Sequence, residues 1–426
     1  MNTLKYKRPK GTRDIIPEEF ELRERLIEKI KKSIRAYGYK FINTPTFEHT
    51  ELFIRSIGDS TDIVEKEMYT FQDRKGRSYT LRPEGTAPVI RAFLENSIMP
   101  PAKLAYIMNM FRAERPQKGR FREFWQVGVE AIGIKDPLID AEVIEMGYSI
   151  LKELGAEKLV VLINSIGSIE ERQAYKSALL DYLNEKEQDG SLELCNDCKR
   201  RKSRNPLRIL DCKIDGPKLK DAPKLKEFLS SESLKYFEEI KTYLDKWGVK
   251  YREEPRLVRG LDYYNHTAFE IVSEKIGVED TILGGGRYDS LVEDLGGPAT
   301  PAVGWAFGLE RIINYFYQIP RISGPFYFVA TVNEFSKGYA IGLLKKIREW
   351  KIPSDMTYEP KSLKAQMKIA DRLNAVKAVI VGEDEIKVQK VRVRDLETGK
   401  EVLVPEEELV RIYEEEMARR NKQEAI

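Results

Sequence analysis

Two strand-like runs, KLAYIMNMFRAER (103–115) and REFWQVGVEAIG (122–133), are separated only by residues 116–121, which contain the polar loop QKGR. A link that short cannot carry a crossover, so the two runs can pair only as an antiparallel hairpin. TFQDRKGRSYTLRP (70–83) repeats the pattern, with a turn at Asp73–Gly76. Successive strands joined by hairpins, and not by helical crossovers, predict an antiparallel sheet for the first domain.

Helical periods surround this sheet. Leu22, Leu26, Ile30 and Ile34 recur four apart within 18–37, which predicts an amphipathic helix ending at Gly38. YKFINTPTF (39–47) reads as a strand meeting Pro45, 140–154 as a helix and LVVLINSIG (159–167) as a strand. Residues 169–250 are lysine- and glutamate-rich and mostly helical in period, an inserted helical module. Strands return at LVRGLDYYNHTAFEIV (257–272) and TILGGGRYDSLVEDL (281–295), and AVGWAFGLERIINYF (302–316) is a strand or turn feeding a helix. Beyond Pro325, FYFVATVN, two helices, AVKAVIVG, the hairpin KVRVRDL/KEVLVP and a helical tail form an α/β domain of about 100 residues. The expected division is 1–168 and 251–322 for the first domain, 169–250 for the insertion and 325–426 for the last, an α+β protein as a whole.

The bulk numbers exclude more than they assign. The net charge of +3, from 72 basic and 69 acidic groups, announces no nucleic-acid binder, so any such surface must come from local clustering. No apolar run approaches the ~18 residues that cross a bilayer, and the N-terminus lacks the apolar run of a secretory signal. Three cysteines, an odd number in a long chain, suit a reducing cytosol and give a cytoplasmic expectation with no membrane partner.

Chemistry concentrates in MFRAERPQKGRFREFWQ, which carries Arg112, Arg115, Arg120 and Arg122 together with Lys118. Strand alternation puts Arg112 and Glu114 on one face. A guanidinium and a carboxylate there suit a phosphate and an adenine amino group, and equally a solvated, charge-paired hairpin. Gln126 and Glu130, four apart on the next strand, share a face of the sheet. GGGRYD lacks the Gly-Lys-Ser/Thr ending of a phosphate loop, and its glycines suit close strand packing instead.

The ordered set of motifs goes further than any one of them. FRAE with its basic loop and GRFREFWQ resembles motif 2 of class II aminoacyl-tRNA synthetases, GWAFGLER their motif 3, and Gly38–Glu48 with Pro45 their motif 1. LVRGLDYY and GGGRYDSL resemble the signature pair of histidyl-tRNA synthetases, and LRPEGTAPVIRAF their histidine-binding loop. KGTRDIIPEE, SLKAQMKIADRL and VIVGEDE extend the likeness along nearly the whole chain.

The resemblance implies a class II antiparallel-sheet catalytic domain with a helical insertion and a C-terminal α/β anticodon-binding domain. It implies a homodimer that activates L-histidine with ATP, Mg²⁺ riding on the nucleotide, and transfers it to tRNA(His). Glu84 and Thr86, around the turn glycine Gly85, would hold the α-ammonium of histidine. Gln126 would lie nearby, Glu130 against the imidazole, and Tyr263 and Tyr264 would close the pocket. Arg112 would bind the α-phosphate and the histidine carboxylate, Glu114 the adenine, and Arg120 the outer phosphates, with the adenine between Phe124 and Arg311. Arg259 would be the second catalytic cation, opposite Arg112, doing what a metal does in related synthetases. The resemblance calls for no metal held by protein ligands.

The alternative within the same fold is the non-catalytic regulatory subunit of ATP phosphoribosyltransferase, which lacks the last domain and tends to lose the arginines that this chain keeps. A pure RNA-binding scaffold would have no need for Glu84, Gln126 and Glu130 together. Cys195-x-x-Cys198 with Cys212 downstream resembles a zinc knuckle, but zinc wants four ligands and neither His49 nor His266 is nearby in sequence. Free thiols are the expectation. The adjacent KRRKSR suits either a tRNA acceptor stem or a solvated helix.

Overall fold

The computed structural model describes residues 5–58, 61, 63–117, 119–210, 212–258, 261, 263–274, 281–319 and 324–424. They divide into two compact units, Met1–Ile16 with Leu22–Gln318, and Pro17–Glu21 with Ile319–Ile426.

Helix α1 (Pro17–Ala36), part of the first unit from Leu22 onward, starts on a proline, whose fixed φ and missing N–H suit a first helical turn, and is followed by Gly38 at φ +82°. Leu22, Leu26, Ile30 and Ile34 are all buried, each contributing about 1.5–3 kcal/mol of apolar burial. Next come β1 (Lys40–Phe41), β2 (Phe47–His49), α2 (Thr50–Ile57), β3 (Tyr69–Gln72), β4 (Ser78–Leu81) and α3 (Thr86–Glu95). The hairpin β5 (Ala102–Phe111) and β6 (Glu123–Ile132) precedes α4 (Pro137–Glu153) and β7 (Leu159–Ser165). The helical module contains α5 (Ile169–Gln188), α6 (Asn196–Arg204), α7 (Leu207–Leu210) and α8 (Ser231–Lys246). The unit closes with β8 (Tyr251–Glu253), β9 (Asn265–Ser273), β10 (Thr281–Arg287), α9 (Leu291–Asp294), β11 (Ala302–Gly308) and α10 (Leu309–Phe316).

Eight strands form one sheet in the order β1-β5-β6-β11-β10-β9-β7-β8. The six inner strands are antiparallel, as the hairpin spacing predicts, while β1 on β5 and β8 on β7 run parallel. Both parallel partners are reached by long connections that include helices, the route a parallel pair requires. Alternation sorts the side chains of β6: Val127, Val129 and Ala131 face a core with α1, α4 and α8, and Gln126 and Glu130 face the other side.

Three sequence expectations need correction. The single strand over 39–47 is two, because Pro45 has no N–H to donate: β1 joins the large sheet, and β2 joins β4 and β3 in a small one. The carbonyls at the break accept from the Arg82 guanidinium, Thr44 at 2.6 Å and Pro45 at 3.1 Å. LVRGLDYY is not strand where it is described, since β9 begins only at Asn265 and Tyr263 and Tyr264 lie in the approach to it. Arg112 and Glu114 lie past the end of β5, so strand alternation is not what brings them together.

The second unit carries β12 (Tyr327–Thr331), α11 (Lys337–Glu349), β13 (Ser354–Met356), α12 (Leu363–Arg372), β14 (Lys377–Val381), α13 (Glu383–Lys387), the hairpin β15 (Val391–Asp395) and β16 (Glu401–Val404), and α14 (Glu408–Glu424). Its sheet runs β13-β12-β14-β15-β16. Among the described residues no helix is long and apolar enough to cross a membrane.

Candidate active site

The β5–β6 hairpin builds the floor of a cleft of about 320 Å³. Its register sets Tyr106 across from Gly128, and the ring occupies the space a side chain there would take: a Cβ on Gly128 would stand 2.2 Å from the Tyr106 ring. Gly85, just before α3, makes room for the same ring, with 2.4 Å to an added Cβ. The Tyr106 hydroxyl lies 3.5 Å from Gln126 Oε1.

Glu130 sits at the inner end. Its carboxyl accepts the Thr86 hydroxyl at 2.8 Å and the Tyr288 hydroxyl in a shorter contact, and its backbone lies in register with Gly304 on β11. Burial pushes its pKa up to about 8; the hydrogen bonds from Tyr288 and Thr86 hold it down, and the nearby Glu84 adds to the rise. Glu84 is equally buried. Its two oxygens accept the backbone N–H of Thr86 (2.6 Å) and Ala87 (3.0 Å), so it caps α3, where a negative charge is favoured. Burial raises its pKa, opposed by those backbone N–H groups and by Arg112. Tyr263, Tyr264 and Tyr288 pack ring on ring at centroid distances of 4.7, 5.5 and 6.4 Å to form a wall.

The outer end is cationic. Arg112 donates from Nε to the Pro83 carbonyl at 2.8 Å and holds its guanidinium 5.3 Å over the Phe124 ring. Arg120, 45% exposed, pairs with Glu114 at 3.5 Å. Arg311, at the start of α10, follows Glu310, a buried carboxylate that accepts from Arg23 and from the Trp125 backbone N–H (2.9 Å) and so ties α10 to α1 and β6. The N-terminal segment braces the loop between β5 and β6: Arg122 N–H donates to the Gly11 carbonyl at 2.8 Å, and Arg13 lies 4.7 Å over Phe121.

Glu84, Thr86, Arg112, Glu114, Arg120, Phe124, Gln126, Glu130, Tyr263, Tyr264 and Arg311 therefore line one cleft, with Gly85 packed beneath it against Tyr106. Arg259 lies outside the described residues. Sequence reasoning passed over Tyr106, Tyr288 and Glu310, which also line it. Tyr288 was within reach as the tyrosine of GGGRYD, and Tyr106 as the bulky residue facing a glycine across the predicted hairpin. His49 is exposed, with its ring 4.9 Å from Tyr79, and His266 is half-buried beside Tyr236; neither lines the cleft.

Such a cleft can seat a small polar ring at a carboxyl- and phenol-lined inner end and an anion among guanidinium groups at the mouth.

The family model described as histidyl-tRNA synthetase matches residues 11–312, and that of the anticodon binding domain matches 327–416. The histidine–tRNA ligase of Bacillus subtilis (strain 168) is 47% identical over 420 residues, covering 96% of this chain and 98% of that protein. That of Geobacillus sp. (strain WCH70) is 47% identical over 428 residues, covering 97% and 100%. The crystal structure of apo S. aureus histidyl-tRNA synthetase superposes with a TM-score of 0.79 at 36% identity, over 96% of this chain and 99% of that one.

Proposed function

Because the chain belongs to the histidyl-tRNA synthetase family and is an aminoacyl-tRNA ligase that uses ATP to join histidine to tRNA, we propose a division of labour within its cleft. The imidazole of histidine occupies the inner end, one ring nitrogen on Glu130 and the other offered a hydroxyl by the Tyr263–Tyr264 pair. Glu84, Thr86 and Gln126 surround the α-ammonium. The buried, hydrogen-bonded Glu130 carries this reading: a site that pairs both edges of a ring leaves buried polar groups unpaired when an isostere enters, which discriminates strongly without editing.

ATP lies towards the mouth, its adenine between Phe124 and Arg311, with Glu114 on the exocyclic amino group and Arg120 on the outer phosphates. The histidine carboxylate attacks the α-phosphorus in line, forming the acyl–phosphate bond as the bond to pyrophosphate breaks. Arg112, and from its place in RGLDYY Arg259, stabilise the charge that develops. The 3′-terminal ribose hydroxyl of tRNA(His) then attacks the adenylate carbonyl and releases AMP. Mg²⁺ accompanies the nucleotide and neutralises its outer phosphates, a role needing no all-protein cage; among the described residues the cleft holds no cluster of three metal-ligating groups. The last domain reads the anticodon, and the enzyme works as a cytoplasmic homodimer.

ATP–pyrophosphate exchange with each amino acid in turn tests this reading. Exchange with histidine alone, abolished in Arg112→Ala and in Arg259→Ala, is the expected result. Undiminished exchange in either variant removes that arginine from the chemistry.

A further inference from the structure

The helical module brings together four groups that the catalytic cleft does not use. Cys195 immediately precedes α6 and Cys198 lies in its first turn, while Cys212 and Asp215 flank a tight turn after α7. Their ligand atoms all lie within 4.8 Å of one another, with 3.9 Å between the Cys195 and Cys212 sulfurs. In order along the chain they read Cys-x2-Cys-x13-Cys-x2-Asp, two knuckles of equal spacing with a carboxylate in the last place.

From this geometry we propose that Cys195, Cys198, Cys212 and Asp215 bind a structural Zn²⁺. Asp215 is the fourth ligand that the cysteine spacing alone did not supply. Three thiolates and one carboxylate select zinc over the hard cations, and a tetrahedron with Zn–S of about 2.3 Å has edges of about 3.8 Å. The four atoms close on an ion by drawing inward about half an ångström each.

The surroundings are already arranged as an outer shell. Asp215, 0% exposed, is oriented by the Cys195 backbone N–H (2.9 Å to Oδ2) and by Lys218 (2.7 Å to Oδ1), which in turn reaches the Glu193 carbonyl at 2.9 Å. Each carboxylate oxygen keeps a lone pair for the ion. The backbone amides of Ile214 and Asp215 lie against the Cys212 sulfur, and a Cβ on Gly216 would stand 2.5 Å from the Leu210 carbonyl, so the turn fits only glycine. A Cys195–Cys212 disulfide would leave the buried Cys198 and Asp215 without a role.

The local fold gives the ion work to do. Between α5 and α8 the described α-helices are α6, of nine residues, and α7, of four. So short a set of elements is the kind a metal staples. Binding sends the thiol protons to solvent, so affinity falls as pH drops.

The test uses the reduced full-length protein, metal-stripped with a chelator and then dialysed against Zn²⁺, with metal measured by mass spectrometry. One equivalent per chain is expected, with thiols slow towards a thiol reagent and, after Co²⁺ replacement, the visible bands of tetrahedral thiolate coordination. Asp215→Ala should weaken retention at least about tenfold, and Asp215→Cys, which completes a four-cysteine set, should keep it. Three fast-reacting thiols and no retained zinc in folded wild-type protein overturn the proposal, as does undiminished affinity in Asp215→Ala.

Discussion

Gly304 lies directly across the sheet from Glu130, and a Cβ on Gly304 would stand 2.0 Å from Glu130 Oε2 and 2.3 Å from the Val129 carbonyl oxygen. The backbone contact leaves no route of retreat within the sheet, so Gly304→Ala must displace the carboxyl or open β6 from β11. The overpacking should cost about 1–3 kcal/mol of stability. A shifted Glu130 should also raise the KM for histidine at least about tenfold, equivalent to about 1.4 kcal/mol, while the KM for ATP stays close to wild type. Exchange kinetics varied separately in histidine and ATP check the split; an equal rise in both would mean that the floor as a whole had moved.

The Glu130 carboxyl makes unliganded stability depend on pH in an unusual direction. Its pKa is about 8 in the folded chain, against 4.5 for an ordinary glutamate, so between those values the folded state holds a proton that the unfolded state has released. Stability contributed by this group is present below about pH 4.5 and is lost as pH rises towards 8, a change of up to a few kcal/mol. Glu130→Gln keeps the shape without the titration. The difference in unfolding free energy between wild type and variant, measured by denaturant melts from pH 5 to 9 without histidine, should shift steadily in favour of the variant. A flat difference would mean that Glu130 ionises normally.

Tyr288 gives an independent handle on the same carboxyl. Its hydroxyl donates to Glu130 and holds that pKa down, so Tyr288→Phe should move the titration to higher pH. Histidine binding should weaken by about 1–3 kcal/mol, the cost of leaving a buried acceptor short of a donor. Calorimetric titration with histidine across pH reads both effects. Weaker binding without a pH shift would leave Tyr288 as a mere wall.

The parts of this site legible in the sequence are those written by period or spacing. The QKGR loop announced the hairpin, and the four-residue interval put Gln126 and Glu130 on one face. Residues whose place depends on a partner strand were harder. Tyr106 matters because Gly128 and Gly85 stand beneath it, and that pairing needs the register, not the composition of either strand. The same limit hid Asp215: a knuckle search looks for cysteine or histidine, and a buried aspartate becomes a candidate ligand only once the turn after α7 folds it beside three sulfurs. Tyr263 and Tyr264 read as strand because two aromatics favour one, yet the chain enters β9 only after them.

Arg287, the arginine of GGGRYD, belongs to the scaffold rather than to the phosphate-binding set. It is 1% exposed and donates from Nε to both oxygens of buried Asp140 at 3.1 Å, and from Nη1 to the Ile134 carbonyl (3.2 Å) and Asp289 (3.0 Å). Thr267 adds a hydroxyl to Asp140 at 2.5 Å. Removing one partner leaves the other charge buried and unpaired, so Arg287→Met should cost about 3–5 kcal/mol, far more than the ~0.5 kcal/mol expected from breaking the exposed Lys235–Glu239 pair. Arg287→Met with Asp140→Leu should recover much of that loss, because the desolvation penalty disappears along with the attraction. Exchange activity per folded molecule should stay within a few-fold of wild type in the double variant. A double variant that melts like wild type but no longer exchanges would instead place this arginine in the chemistry.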